Sequence, residues 1–334
     1  MESSQRVRQV LALTDGRAGH ETQTRGIVQG LAEEFAINVH WLSVRKPTRL
    51  WRLISKWLLT VGQAQVGLRW FGVPQAALPA QIDLVVSAGG DTLLPNALLA
   101  QYYDCQNVIA SSLRGLAPRH FSAVFSLDLA QTDAPFIAYP VSPNRMLFDE
   151  DRQQQQAAKA RLGLADHQQV VTVLIGAQTK HVQIGPVDWY AQTVKALQAK
   201  NNTILLTTSR RTPLAFEQAL QASIHPQQHD HFTWVQAGEQ CSIQDYIYAA
   251  EWVVCSPDSE SMIGEAVSAG RLVVIPQTEQ ITDSAYARFI QQLIARGWIV
   301  QQATVDGTDL SHSAGNQTSV QQALTKGLRQ RLNW

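Results

Sequence analysis

Short apolar runs alternate along this chain with longer stretches whose apolar positions recur every three or four residues. Val7–Leu13, Val39–Val44, Ile82–Ser87 and Asn107–Ser111 predict strands in the first half. Val170–Ile175, Thr203–Thr208, Phe232–Val235, Trp252–Cys255 and Leu272–Ile275 predict strands in the second. Several are apolar on both faces, as buried parallel strands are. Between them, Gln23–Glu34, Trp189–Lys200, Pro213–Ser223, Ser259–Ala269 and Ala285–Arg296 carry the helical period. Repeated strand–helix alternation predicts an α/β protein with doubly wound parallel sheets. The pattern breaks at Pro140–Gln156, where prolines, a charge cluster and a glutamine run follow one another. The expected division is therefore 1–145 and 146–334, two Rossmann-like domains facing a cleft, with ligands at the carboxyl ends of the strands. The last helix, Val320–Leu332, is expected to pack back on the first domain.

Composition narrows the function. At 334 residues the chain exceeds what a single core usually supports, roughly 250–300 residues. Its 27 basic and 27 acidic residues cancel, which argues against a dedicated nucleic-acid binder. Cys105, Cys241 and Cys255 are too scattered for a disulfide framework or a metal motif. No secretion signal and no run of about 18 apolar residues is read in the sequence, so a cytoplasmic protein is expected, soluble or resting on a membrane surface.

Three strand-end loops in the second half suit an anionic ligand. Gly176 follows a strand directly, so backbone can approach a ligand closely, and Lys180 adds charge nearby. In TTSRRTP, Ser209, Arg210 and Arg211 stand at a strand end. Thr212 reads as a helix cap and Pro213 as the first helical residue. Helix starts favour anions, and arginine offers a forked donor to phosphate. In PDSESMIGEAVSAG, Asp258 or Ser259 caps a helix whose first turn holds Ser261 and Met262. Glu265, four residues after Ser261, shares its face. Hydroxyls and amides at that helix start suit a diphosphate, and the carboxylate one turn on suits ribose hydroxyls. The plainer alternative is a set of capped structural turns.

In the first half, the loop after the first strand holds Asp15, Gly16, Arg17, Gly19, His20 and, just beyond, Gln23. It lacks the GxGxxG fingerprint, so a dinucleotide is not expected. Asp15, ranked first, and His20, ranked second, are candidates for the base that deprotonates an acceptor hydroxyl. Gly89, Gly90 and Asp91 end another strand on the acceptor side, where Asp91 is suited to a sugar hydroxyl. Between these loops, Arg45–Pro74 carries six basic residues, no acidic ones, and Trp51, Trp57 and Trp70. That composition fits either an interfacial helix on an anionic membrane or a core helix with a solvated basic face.

DGRAGHETQ, SAGGDTLLPN, IGAQTKH, TTSRRTP and PDSESMIGEAVSAG stand in the order found in the ELM-like family, which the chain resembles over nearly its whole length. The plant members are named for a mitochondrial-fission phenotype. The bacterial members are treated as glycosyltransferases of cell-surface polysaccharide or lipooligosaccharide assembly. The resemblance implies a GT-B fold and a family pattern with a histidine–aspartate pair after the last N-terminal strand. Here that stretch reads FSLDLAQ: Asp128 matches the aspartate and the histidine is missing, while Asn144 and Arg145 match the linker. The expected activity is sugar transfer from a nucleotide sugar to a glycolipid or lipopolysaccharide-type oligosaccharide at the inner face of a membrane. Neither metal nor cofactor is required, since helix dipole and arginine can stabilise the leaving diphosphate. The alternatives are a sugar-nucleotide epimerase on the same fold and a non-catalytic membrane scaffold.

Overall fold

The computed structural model describes residues 6–74, 78–179, 182–277, 281, 284–306, 310, 320–332 and 334. The chain divides into two compact units, Met1–Arg145 with Gln321–Trp334, and Met146–Val320. Each is built on one six-stranded sheet whose strand pairs are all parallel. The α/β class with two doubly wound sheets is thus the architecture. Among the described residues no helix is long and apolar enough to cross a membrane.

Unit 1 contains β1 (Arg8–Thr14), α1 (Ala18–Glu34), β2 (Ile37–Ser43), α2 (Arg49–Thr60), α3 (Ala64–Leu68), β3 (Leu84–Ala88), α4 (Leu93–Tyr103), β4 (Gln106–Ala110), β5 (Ala123–Ser126) and β6 (Phe136–Ala138). Its strands lie in the order β2-β1-β3-β4-β5-β6. The central strands are buried on both faces, and every residue of β3 is buried, which is why they read as continuous apolar runs. The C-terminal helix, Val320–Arg331, belongs to this unit for all but its first residue. Leu324 and Leu328 are buried, and Arg331 donates to the carbonyls of Thr132, at 2.7 Å, and Phe136, at 3.1 Å.

Unit 2 contains α5 (Gln153–Arg161), β7 (Val170–Leu174), α6 (Val187–Ala199), β8 (Thr203–Thr207), α7 (Leu214–Ser223), β9 (His231–Thr233), α8 (Ile243–Ala249), β10 (Trp252–Cys255), α9 (Glu260–Ser268), β11 (Val273–Pro276), α10 (Ser284–Ala295) and β12 (Ile299–Gln302). Its order is β12-β11-β10-β7-β8-β9. The C-terminal helix of the chain is α11 in this numbering.

Several elements escape the sequence pattern for identifiable reasons. Leu93–Ala100 of α4 is buried on every side, so the helix has no polar face to reveal its period. β6 and β12 are three and four residues long. α1 begins at Ala18, five residues before the expected start, because Gly19 hides the first turn. The glutamine run is helical: Asp149 accepts from the amides of Gln154 and Gln155 at 2.8 and 2.9 Å. The carboxylate thereby anchors the start of α5, where anionic groups are favoured.

Candidate functional site

In unit 2 the chain winds β7-β8-β9 one way and β10-β11-β12 the other, so the sheet reverses direction between β7 and β10. Open α/β sheets bind ligands outside the strand ends at such a reversal. The two loops that leave those strands are fastened together. Gly176 N–H donates to Ser256 Oγ at 2.7 Å, and Ser256 Oγ donates to Asp258 Oδ1 at 2.6 Å. Ala177 N–H donates to Asp258 Oδ2 at 2.7 Å. A Cβ on Gly176 would stand 2.5 Å from one Asp258 oxygen and 2.6 Å from the other, so only glycine admits this contact. Burial raises the Asp258 carboxyl above its ordinary range. The hydrogen bonds from Ser256 and Ala177 and the charge of Arg211 draw it partly back.

The arginine loop is tied to the same place by a side chain with a different task from the expected one. Helix α7 begins at Leu214 with Pro213 in the cap position, and no side chain caps it. Thr212 is buried, and its Oγ1 lies within donating reach of the carbonyl oxygens of Gly176, at 2.6 Å, and Ile175, at 3.1 Å. The same oxygen accepts from Ser209 N–H at 2.8 Å. Ser209 Oγ accepts from Arg211 N–H at 3.2 Å. The loop is thus clamped to β7, while Arg210 and Arg211 remain exposed at its tip. Behind it, Gln236 Nε2 donates to the Arg210 and Thr212 carbonyls at 2.9 and 3.0 Å. Buried Glu217 accepts from Thr208 Oγ1 and from Gln236 N–H.

Ser259 caps α9, its Oγ accepting from Met262 N–H at 3.4 Å, with Ser261 Oγ 3.4 Å away. Ile263, Ala266 and Val267 form the buried face, whereas Met262 is only half-buried. Glu265, half-buried, lies one turn beyond exposed Ser261 on the same face. Tyr286 holds the entry to this helix by donating to the Pro257 carbonyl at 2.6 Å.

The sheet of unit 1 reverses between β1 and β3, and the loops after those strands hold the acceptor-side candidates. Asp15 is nearly buried. Its Oδ1 accepts from Arg17 N–H at 3.1 Å, and its Oδ2 lies 2.8 Å from His20 Nδ1. A carboxylate only accepts, so Nδ1 carries the proton of this bond, and in the neutral ring Nε2 is then the acceptor. The imidazole rests on Gly89, where a Cβ would come within 2.2 Å of Nδ1; the φ of +88° also favours glycine. The Arg114 guanidinium covers Gly90, where a Cβ would fall 2.0 Å from Cζ. Asp91 Oδ2 receives Arg17 Nη2 and Lys46 Nζ, both at 3.2 Å. Its buried Oδ1 has no hydrogen-bond partner among the described residues.

Direct bonds or charge therefore join Gly176, Ser209, Arg211, Thr212 and Asp258 in unit 2. In unit 1 they join Asp15, Arg17, His20 and Asp91, with Gly89 packed beneath the ring. Ser259, Ser261 and Met262 gather at one helix start. Gly16, with φ of +77°, and Gly19 have open space at the Cβ position. Half-buried Gln23 follows His20 on α1. Lys180 lies outside the described residues. Sequence reading passed over Lys46, Arg114, Ser256 and Gln236. Of these only Ser256 carried a signal, its place beside Asp258 at a strand end.

The mitochondrial fission ELM1 family profile matches residues 18–324. Among solved structures, a Listeria monocytogenes protein assigned as a UDP-N-acetylglucosamine 2-epimerase superposes with a TM-score of 0.51 at 10% identity, over 97% of this chain and 91% of its own. A UDP-glucosyltransferase from Polygonum tinctorium gives 0.49 at 9%, over 98% and 95%. The E. coli ADP-heptose heptosyltransferase II gives 0.47 at 12%, over 96% and 99%. No curated protein sequence matches. With the profile spanning most of its length, the chain belongs to the mitochondrial fission ELM1 family.

Proposed function

We propose that this protein is a glycosyltransferase that moves a sugar from a nucleotide donor to a lipid-linked or lipopolysaccharide-type acceptor at the cytoplasmic face of a membrane. The observation that carries this reading is the Asp15–His20 pair at the reversal point of the unit 1 sheet. In transfer, a bond forms between the acceptor oxygen and the anomeric carbon, and the bond from that carbon to the diphosphate breaks. The acceptor hydroxyl loses its proton to a base. His20 Nε2 is that base, and Asp15 positions the ring and stabilises the imidazolium that forms. This reverses the ranking drawn from sequence, because the two Asp15 oxygens are already engaged. Asp91 Oδ1, buried and without a partner among the described residues, suits a hydroxyl donated by the acceptor sugar.

On the donor side, Arg211 and the α9 start receive the diphosphate, with Arg210 at the rim and Glu265 one turn further for the ribose. Asp258 acts indirectly, by holding the Gly176 loop. Charge on the leaving group is met by arginine and helix amides, with no metal or cofactor in the scheme.

The test has two arms. A thermal-shift screen over nucleoside diphosphates and their sugars should find a stabilising ligand, which at 100 times its Kd adds about 2.7 kcal/mol. Single-turnover transfer should then fall roughly 10²–10⁴-fold in His20→Ala with donor affinity unchanged. Wild-type turnover in that variant would remove the base assignment. Consumption of the nucleotide sugar with no acceptor present would turn the reading towards the epimerase.

A further inference from the structure

Helix α2 has three sides, and one has no counterpart in an ordinary amphipathic helix. Ser55, Leu58 and Leu59 are buried against the rest of unit 1. Arg49, Arg52 and Lys56, at spacings of three and four, make a basic stripe beside them. Leu50, Leu53 and Trp57, continued by Val61 just past the helix end, share a third side at spacings of three and four. That side is apolar and faces outward: Leu50 is 62% exposed, Leu53 67% and Trp57 62%. Trp51 is exposed as well and stacks on Trp70 with centroids 4.5 Å apart. Val66 on α3 is exposed too. Contiguous apolar surface of this kind marks an interaction site.

We infer that this face of α2 docks on the surface of an anionic lipid bilayer, with Leu50, Leu53 and Trp57 entering the headgroup boundary and the basic stripe meeting the lipid phosphates. Charge selects this occupant. From Arg45 to Pro74 there are six basic residues and no acidic one. A surface that buried the apolar stripe against a second copy of itself would bring two such stripes together. A negatively charged bilayer attracts them instead, and tryptophan with leucine is the side-chain set suited to the interface.

The segment that docks also reaches the acceptor-side loops. Lys46, three residues before α2, holds Asp91 at 3.2 Å. Lys56 on the helix donates to the Gly115 carbonyl at 2.7 Å, next to the Arg114 that covers Gly90. Docking through α2 therefore sets these loops beside the headgroups. The consequence for substrate, which rests on the transfer proposed above, is an acceptor that stays in the membrane. The docking itself does not depend on any transfer.

The test uses the full chain and vesicles of phosphatidylcholine with increasing phosphatidylglycerol, in a sedimentation assay. Binding should rise with anionic lipid and fall as salt screens the charges. Arg49→Glu should weaken it by about fivefold or more, from the loss of one basic contact. Leu50→Ser/Leu53→Ser/Trp57→Ser should abolish binding while its thermal unfolding matches the wild type, since all three side chains are exposed. Sedimentation velocity without lipid is run on the same variants. Failure of the wild type to bind at any anionic content overturns the inference. So does a self-associated wild type whose triple variant turns monomeric yet binds vesicles as before. Vesicle binding without sugar transfer would leave docking in place and remove only the proposed reaction.

Discussion

Replacing Gly176 by alanine adds one methyl group at a point where the structure has no room for it. The φ of Gly176 is not in the left-handed region, so alanine brings no backbone strain and the whole effect is contact with a neighbour. That neighbour is the Asp258 carboxylate, with oxygens 2.5 and 2.6 Å and Cγ 2.9 Å from the added carbon. Asp258 must swing away and release Ala177 N–H. A hydrogen bond to a charged acceptor contributes about 1.5–3 kcal/mol. Two effects offset part of the loss. Alanine restricts the unfolded chain, worth about 0.4–1 kcal/mol, and Asp258 escapes a burial that raises its carboxyl. The expected net cost is about 1–2 kcal/mol.

The reasoning is tested by placing the same substitution on an Asp258→Ala background. There the methyl group meets no carboxylate, so Gly176→Ala should be neutral or stabilising by up to about 1 kcal/mol. The coupling between the two sites should accordingly reach about 1–3 kcal/mol, within the range for residues in contact. The four proteins are compared by urea unfolding. Amide exchange at Ala177 provides a local measure, because a two-unit chain need not unfold in one step. An equal cost of Gly176→Ala in both backgrounds would refute the collision as its cause.

Arg211→Ala should weaken nucleoside diphosphate binding by roughly 1.5–3 kcal/mol, measured by calorimetric titration, and unchanged affinity would take the phosphate away from this loop. Asp258 gives a pH dependence of definite sign. Its folded carboxyl is raised, so its contribution is present at acid pH and is lost as pH rises from the ordinary carboxylate value through the raised one. The melting temperature of Asp258→Asn relative to wild type should therefore climb as pH rises past the ordinary carboxylate value of about 4, and a flat difference would contradict the buried charge. Gly26→Ala in α1 should destabilise although alanine is the better helix former, because its Cβ would stand 2.4 Å from the Asn144 backbone nitrogen. A gain in urea midpoint would show that the Asn144 segment yields.

The α/β class was legible in the sequence because buried parallel strands are short apolar runs and their crossovers carry the helical period. Val170–Leu174 and Leu84–Ala88 are buried throughout and were visible for that reason. α4 was hidden by the same rule, since a helix buried on all sides has no polar stripe. The chemistry at strand ends was legible as residue types: Arg210, Arg211, Asp258 and Ser259 in one unit, Asp15, His20 and Asp91 in the other. Their tasks were not. Thr212 reads as a cap and instead clamps its loop to β7. Lys46 belongs by spacing to the basic segment before α2 and in space to Asp91. Contacts between residues far apart in sequence leave no trace in the spacing of either partner, but they do leave one in glycine. Gly89, Gly90 and Gly176 each stand where a Cβ would collide with His20, Arg114 or Asp258. The first also has a positive φ, which alone would explain it. Gly176 has no such excuse in its own backbone, so a neighbouring side chain must account for it. That neighbour, Asp258, is the one that binds the two loops of the reversal point together.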